Sequence, residues 1–78
     1  MTATELNERY PIVRILWKPD GGIKFIYQPG IFHTIQDALI EIAKISNFNI
    51  TGIYHIVTPY STYEITDIFQ MKLNKIKP

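Results

Sequence analysis

Cysteine is absent from this chain, and with it go disulfides, thiolate metal sites and cysteine nucleophiles. An excess of either charge is missing too. Lys and Arg number 8 against 7 Asp and Glu, a net of +1, so neither a basic nor an acidic tail is present. No apolar run approaches the roughly 18 residues that cross a bilayer, and Met1–Arg9 is too polar for a secretory leader. These absences predict a soluble, cytoplasmic protein with no membrane association.

Catalytic signatures are equally scarce. The serines are Ser46 and Ser61, and neither sits in a G-x-S-x-G elbow. Gly21-Gly22 is not followed by the helix start that a phosphate loop requires. The histidines, His33 and His55, form no HxH or HExxH pattern, so no metal site is expected. Glu64 and Asp67 are three residues apart, which places them on opposite faces of a regular strand and rules out joint acid–base work. The expectation is a non-enzyme without cofactor or metal. No stretch resembles a known family closely enough to name one.

What is present is a short, apolar chain. Its 78 residues are 46% hydrophobic, too rich for a disordered segment, and long enough for one small domain spanning 1–78. Ile occurs 15 times against 4 Leu and 2 Val, a β-branched excess that favours pleated, half-buried strands. Thr2–Arg9 is polar and reads as a flexible arm or one turn capped by Thr4. Tyr10–Lys18 and Ile23–Gln28 read as two strands around the turn signal Pro19-Asp20-Gly21-Gly22. A three-residue loop sets Lys18 opposite Gly22 and sorts the side chains into two faces. Val13, Ile15, Trp17, Ile23, Phe25 and Tyr27 then face inward. Ile12, Arg14, Leu16, Lys18, Lys24, Ile26 and Gln28 face outward.

Thr34 is an N-cap with Asp37 three residues on, and Ile35, Ala38, Leu39, Ile42 and Ile45 or Ser46 form an apolar stripe behind it. Asn47 suits a left-handed helix end, with Phe48 packing behind it. Ile50–Thr58 and Thr62–Leu73 read as the third and fourth strands. In the register expected, Gly52 lies opposite Phe69 and Asp67 opposite Tyr54. Asn74–Pro78 reads as a frayed tail. The predicted fold is α+β, of order β-β-α-β-β: a four-stranded, mainly antiparallel sheet with one amphipathic helix packed on one face.

One helix about 20 Å long covers only one side of such a sheet. The other side is too polar for a core and too apolar for ordinary solvated surface. It carries Arg14, Leu16, Lys18, Lys24 and Ile26, and these are the main candidate binding residues. Ile40 on the helix's wet side and Tyr60 in an exposed turn are further contact candidates. Tyr54, His55 and Asp67 form a candidate small-molecule pocket, since a carboxylate among apolar neighbours needs a hydrogen-bonding partner.

The function expected is therefore docking to a protein partner, with a homodimer as the expected state. Small accessory factors and phage-type inhibitors of host machinery share this profile. Nucleic-acid binding through the open sheet face comes second, because the aromatics that would stack on bases are assigned inward and the net charge is small. A small-molecule pocket is the third reading.

Overall fold

The computed structural model describes all 78 residues. The elements, in chain order, are β1 (Arg14–Lys18), β2 (Ile26–Tyr27), α1 (Ile35–Ser46), β3 (Ile53–Val57), β4 (Thr62–Asp67) and β5 (Lys72–Lys77). The strands form one antiparallel sheet in the order β2-β1-β3-β4-β5, with α1 on one side of it. The α+β class stands, with five strands in place of the four expected. No helix is long and apolar enough to cross a membrane.

The fifth strand comes from splitting the segment expected as a single long fourth strand. Asp67 Oδ1 accepts from the Gln70 backbone N–H (3.1 Å), and Ile68–Met71 turn the chain back so that β5 pairs with β4. Residues 74–77, expected as part of a frayed tail, are thus strand. The N-terminal segment borders that strand. Thr2 bridges Lys72, Ala3 N–H donates to Met71 O (3.0 Å), and Leu73 N–H donates to Met1 O (2.8 Å). Thr2, not Thr4, begins the N-terminal turn, with its N–H and Oγ1 donating to Glu5 Oε1 at 2.9 and 3.0 Å. Those two bonds favour the charged carboxylate and hold the Glu5 carboxyl below its ordinary range.

The helix follows its local signals. Thr34 Oγ1 accepts from Asp37 N–H (3.1 Å), meeting one of the orphan donors of the first turn. Asn47 closes the other end at φ 53°, where a short polar side chain is tolerated. Ile35, Ala38, Leu39 and Ile42 are fully buried against Val13, Ile15 and Ile56 of the sheet. Burying each large aliphatic side chain stabilises the fold by about 1.5–3 kcal/mol. Ile45 is left half exposed while Ser46 turns inward and donates to Ile42 O (2.6 Å).

Two registers differ from those expected. In the first hairpin Leu16 pairs with Tyr27 and Trp17 with Ile26, so Lys18 does not oppose Gly22. An odd-numbered slip exchanges the faces of the second strand, because side chains alternate with period two. The turn is centred one residue later than expected, Gly22 N–H donating to Pro19 O (2.9 Å), and residues 23–25 form a loop. Between β3 and β4 the slip is even. His55 pairs with Glu64 and Ile56 with Tyr63, which keeps the faces but separates Tyr54 from Asp67, now paired with Lys72. Gly52 lies not against Phe69 but against the backbone of Lys18 and Pro19 at the end of β1. Ile68 is buried in the turn between β4 and β5, and Phe69 beside it is 76% exposed.

Candidate functional site

The side of the sheet away from α1 is built by alternate residues of β1, β3 and β4 with their partners on the edge strands. Across it run Tyr27, Leu16, His55, Glu64 and Asn74 as one row, and Arg14, Val57, Thr62 and Lys77 as the next. Lys18 and Ile53 make a third row on the central strands. Leu16, Ile53 and Val57 are only partly covered. The face therefore has an aliphatic middle.

Its aromatic groups come from the 23–27 segment. The Phe25 ring stacks on the His55 imidazole with centroids 4.3 Å apart and planes at 25°. Lys18 Nζ lies 5.4 Å from the Phe25 centroid, and the Arg14 guanidinium lies 4.6 Å over the Tyr27 ring. Both distances are within cation–π range. Arg14 Nε is enclosed without a hydrogen-bond partner, so the guanidinium is placed by stacking and not by a carboxylate. His55 Nε2 lies 3.6 Å from Glu64 Oε1, and no Lys or Arg has an acidic partner within salt-bridge distance.

His55 sits at the centre of this arrangement. Burial, chiefly, pushes its pKa below the ordinary 6.5, because desolvation penalises the imidazolium. Glu64 opposes that shift, while the ammonium groups of Lys77 and Lys18 add to it. The imidazole is therefore neutral at pH 7 and presents a flat ring to Phe25. No three His, Asp or Glu side chains come together in a metal-ligating arrangement.

The structure keeps Arg14, Leu16 and Lys18 on this face, as the sequence suggests, and removes two others from it. Ile26 pairs with Trp17, on the helix side of the sheet edge, and is half exposed there. Lys24 lies in the loop before β2, outside the sheet. In their place come Phe25, Tyr27 and Lys77, which sequence reasoning missed. For Lys77 plain alternation points the wrong way, to the side of buried Leu73, and a register irregularity between Thr62 and Tyr63 is what brings it to the open face. For Phe25 and Tyr27 no signal existed, because loop length alone decides their face.

The candidate pocket of Tyr54, His55 and Asp67 does not form. Tyr54 and His55 are successive residues of β3 and point to opposite faces, and Asp67 caps the turn into β5. Tyr54 instead stacks with Trp17 (6.0 Å, 28°) under an open groove of about 370 Å³ that also involves Gln28, Ser46 and Asn49. Burial pushes its phenol pKa above 10.0.

Ile40 is exposed on the helix, away from this face, and Tyr60 is exposed in the β3–β4 turn with its ring 6.2 Å from that of Tyr10. His33 is held at the helix start by Nδ1 and the Tyr10 carbonyl oxygen (3.1 Å). At the far end of α1, Phe48 and Phe69 stack at 5.4 Å beside a shallow groove of about 230 Å³ lined by Ile50, Ile65 and Ile68.

Comparison with protein-family models, with curated proteins and with solved structures gives no match to this chain.

Proposed function

We propose that this protein is a non-enzymatic binding module whose working surface is the sheet face opposite α1. One observation carries the reading: no helix or strand covers this face, and beyond the Phe25 ring over His55 it combines half-buried Leu16, Ile53 and Val57 with cations at Arg14, Lys18 and Lys77 that have no acidic partner. Aliphatic residues left partly wet at the centre of a sheet, with a polar surround, are the usual anatomy of a contact surface.

The occupant expected from sequence, a second copy of the chain, fits this face poorly. A two-fold contact presents the same patch to itself. It would bring three cations and one carboxylate from each copy into the same contact, and joining two net-positive surfaces is electrostatically unfavourable. The partner chemistry that suits the face is anionic.

A protein partner remains the second reading, favoured by the exposed Phe48–Phe69 pair at the other end of the molecule. Capture from native lysate on immobilised protein separates the two surfaces. Species retained by the unaltered chain and by Phe69→Ser, but lost with Leu16→Asp, support the open face. Loss with Phe69→Ser alone refutes it.

A further inference from the structure

The chemistry of the open face narrows its occupant, and this step rests on that face being the working surface. Sheet modules that hold single strands combine aromatic rings for base stacking with cations that track the phosphates. Both parts are here. Tyr27 is 57% exposed with Arg14 over one side of its ring, which leaves the other side open to a base. Phe25 stacks on His55 with Lys18 Nζ 5.4 Å from its centroid, so the partly exposed ring is braced from beneath and lies over the sheet. Two rings from one short segment form a platform along one side of the face.

The cations are placed to meet a backbone passing over that platform. Lys18 and Arg14 are on β1 beside the two rings, and Lys77 is on β5, three strand spacings or about 14 Å away. None is neutralised by a carboxylate. Glu64 is the acidic group near the middle, so Arg14, Lys18 and Lys77 leave the face net positive although the whole chain is close to neutral.

We infer that the open face binds single-stranded nucleic acid, with bases stacked on Tyr27 and Phe25 and phosphates met by Arg14, Lys18 and Lys77. Backbone charge and stacking carry the contact, so the binding is tolerant of base sequence. No covalent step is involved.

The test is a titration of the isotope-labelled full chain with oligo-dT and oligo-rU of about twelve nucleotides, within the site sizes typical of such sheets. It is run by NMR at about 50 mM salt beside a dilution series without oligonucleotide. The expected result is saturable shifts confined to residues 14–18, 25–27, 53–57 and 77. Tyr27→Ala, at an exposed edge where folding tolerates it, weakens binding about tenfold, and Phe25→Ala does likewise. Three phosphate contacts predict a log–log salt slope of about −2, which Lys18→Gln reduces by about 0.7.

No shift at about 100 μM, the weak end of non-specific affinity, overturns the nucleic-acid inference and leaves the open-face reading standing. Open-face shifts that appear on raising protein concentration alone also overturn it, in favour of self-association. Shifts centred on Phe48 and Phe69 overturn both.

Discussion

Replacing Gly52 with alanine should destabilise the protein by about 3 kcal/mol, by two separable routes. Gly52 has φ 76°, the left-handed region, where a Cβ costs about 1–2 kcal/mol. It also packs against another part of the chain. An added Cβ would run into the Lys18 carbonyl oxygen and lie 3.0 Å from both Pro19 Cα and Trp17 Nε1. Forcing a methyl into such a contact costs roughly a further 1–3 kcal/mol. The neighbouring bond from Trp17 Nε1 to Thr51 O, 2.8 Å long, limits how far the tryptophan can retreat.

Gly21 supplies the control, since it has nearly the same φ, 78°, but a Cβ there meets nothing within 4 Å. Gly21→Ala should therefore cost about 1 kcal/mol, the backbone part alone. Any entropy lost from the unfolded chain is the same in both variants and cancels in their difference. For a domain of this size 1 kcal/mol is worth about 4–8 °C in melting temperature. The expected losses are thus about 12–24 °C for Gly52→Ala and about 4–8 °C for Gly21→Ala, measured by circular dichroism. Equal losses in the two variants would refute the reasoning, because the approach of residue 52 to the end of β1 would then impose no constraint.

Three further predictions concern the helix start and His55. Thr34→Ala should lower stability by about 1 kcal/mol in urea denaturation, with Thr34→Ser restoring most of it, because the hydroxyl bond to Asp37 N–H is the feature lost. For His55 the folded pKa lies below 6.5, so the unfolded chain binds more protons in the window beneath that value. Its contribution is fully present above pH 6.5 and is lost as pH falls through the folded value. Acid melts of the wild type should show this slope, and His55→Gln should flatten it. Glu64→Gln should lower the His55 midpoint further in an NMR titration, since the carboxylate is the group that raises it.

The local signals in the chain were enough for the helix and for the helix-facing set of the central strands. Thr34, Asp37 and Asn47 act within a turn of where they stand, and Ile35, Ala38, Leu39 and Ile42 repeat at the pitch of a helix whatever surrounds them. Val13, Ile15 and Ile56 alternate on strands buried on one side, where a wrong parity would expose them to water. The left-handed fit of Asn47 was legible as well. The neighbour of Gly52 was not, because it is 33 or 34 residues away along the chain, at Pro19 and Lys18.

The edges and the open face belong to tertiary structure. Ile26 and Tyr27 are both exposed, so no burial penalty selects their register, and the turn chemistry of Pro19–Gly22 accepts more than one loop length. Phe25 on His55 and Arg14 over Tyr27 hold the register observed, through contacts between residues 13 and 30 positions apart. The same holds for β5, whose charged alternation satisfies a strand or a tail equally until β4 supplies its backbone partners. Sequence determined what the helix side must bury, because apolar periodicity is an intrinsic property of the chain. Only the folded sheet decided which rings and cations share the other side, because side chains that stay wet have their places set by the contacts they find.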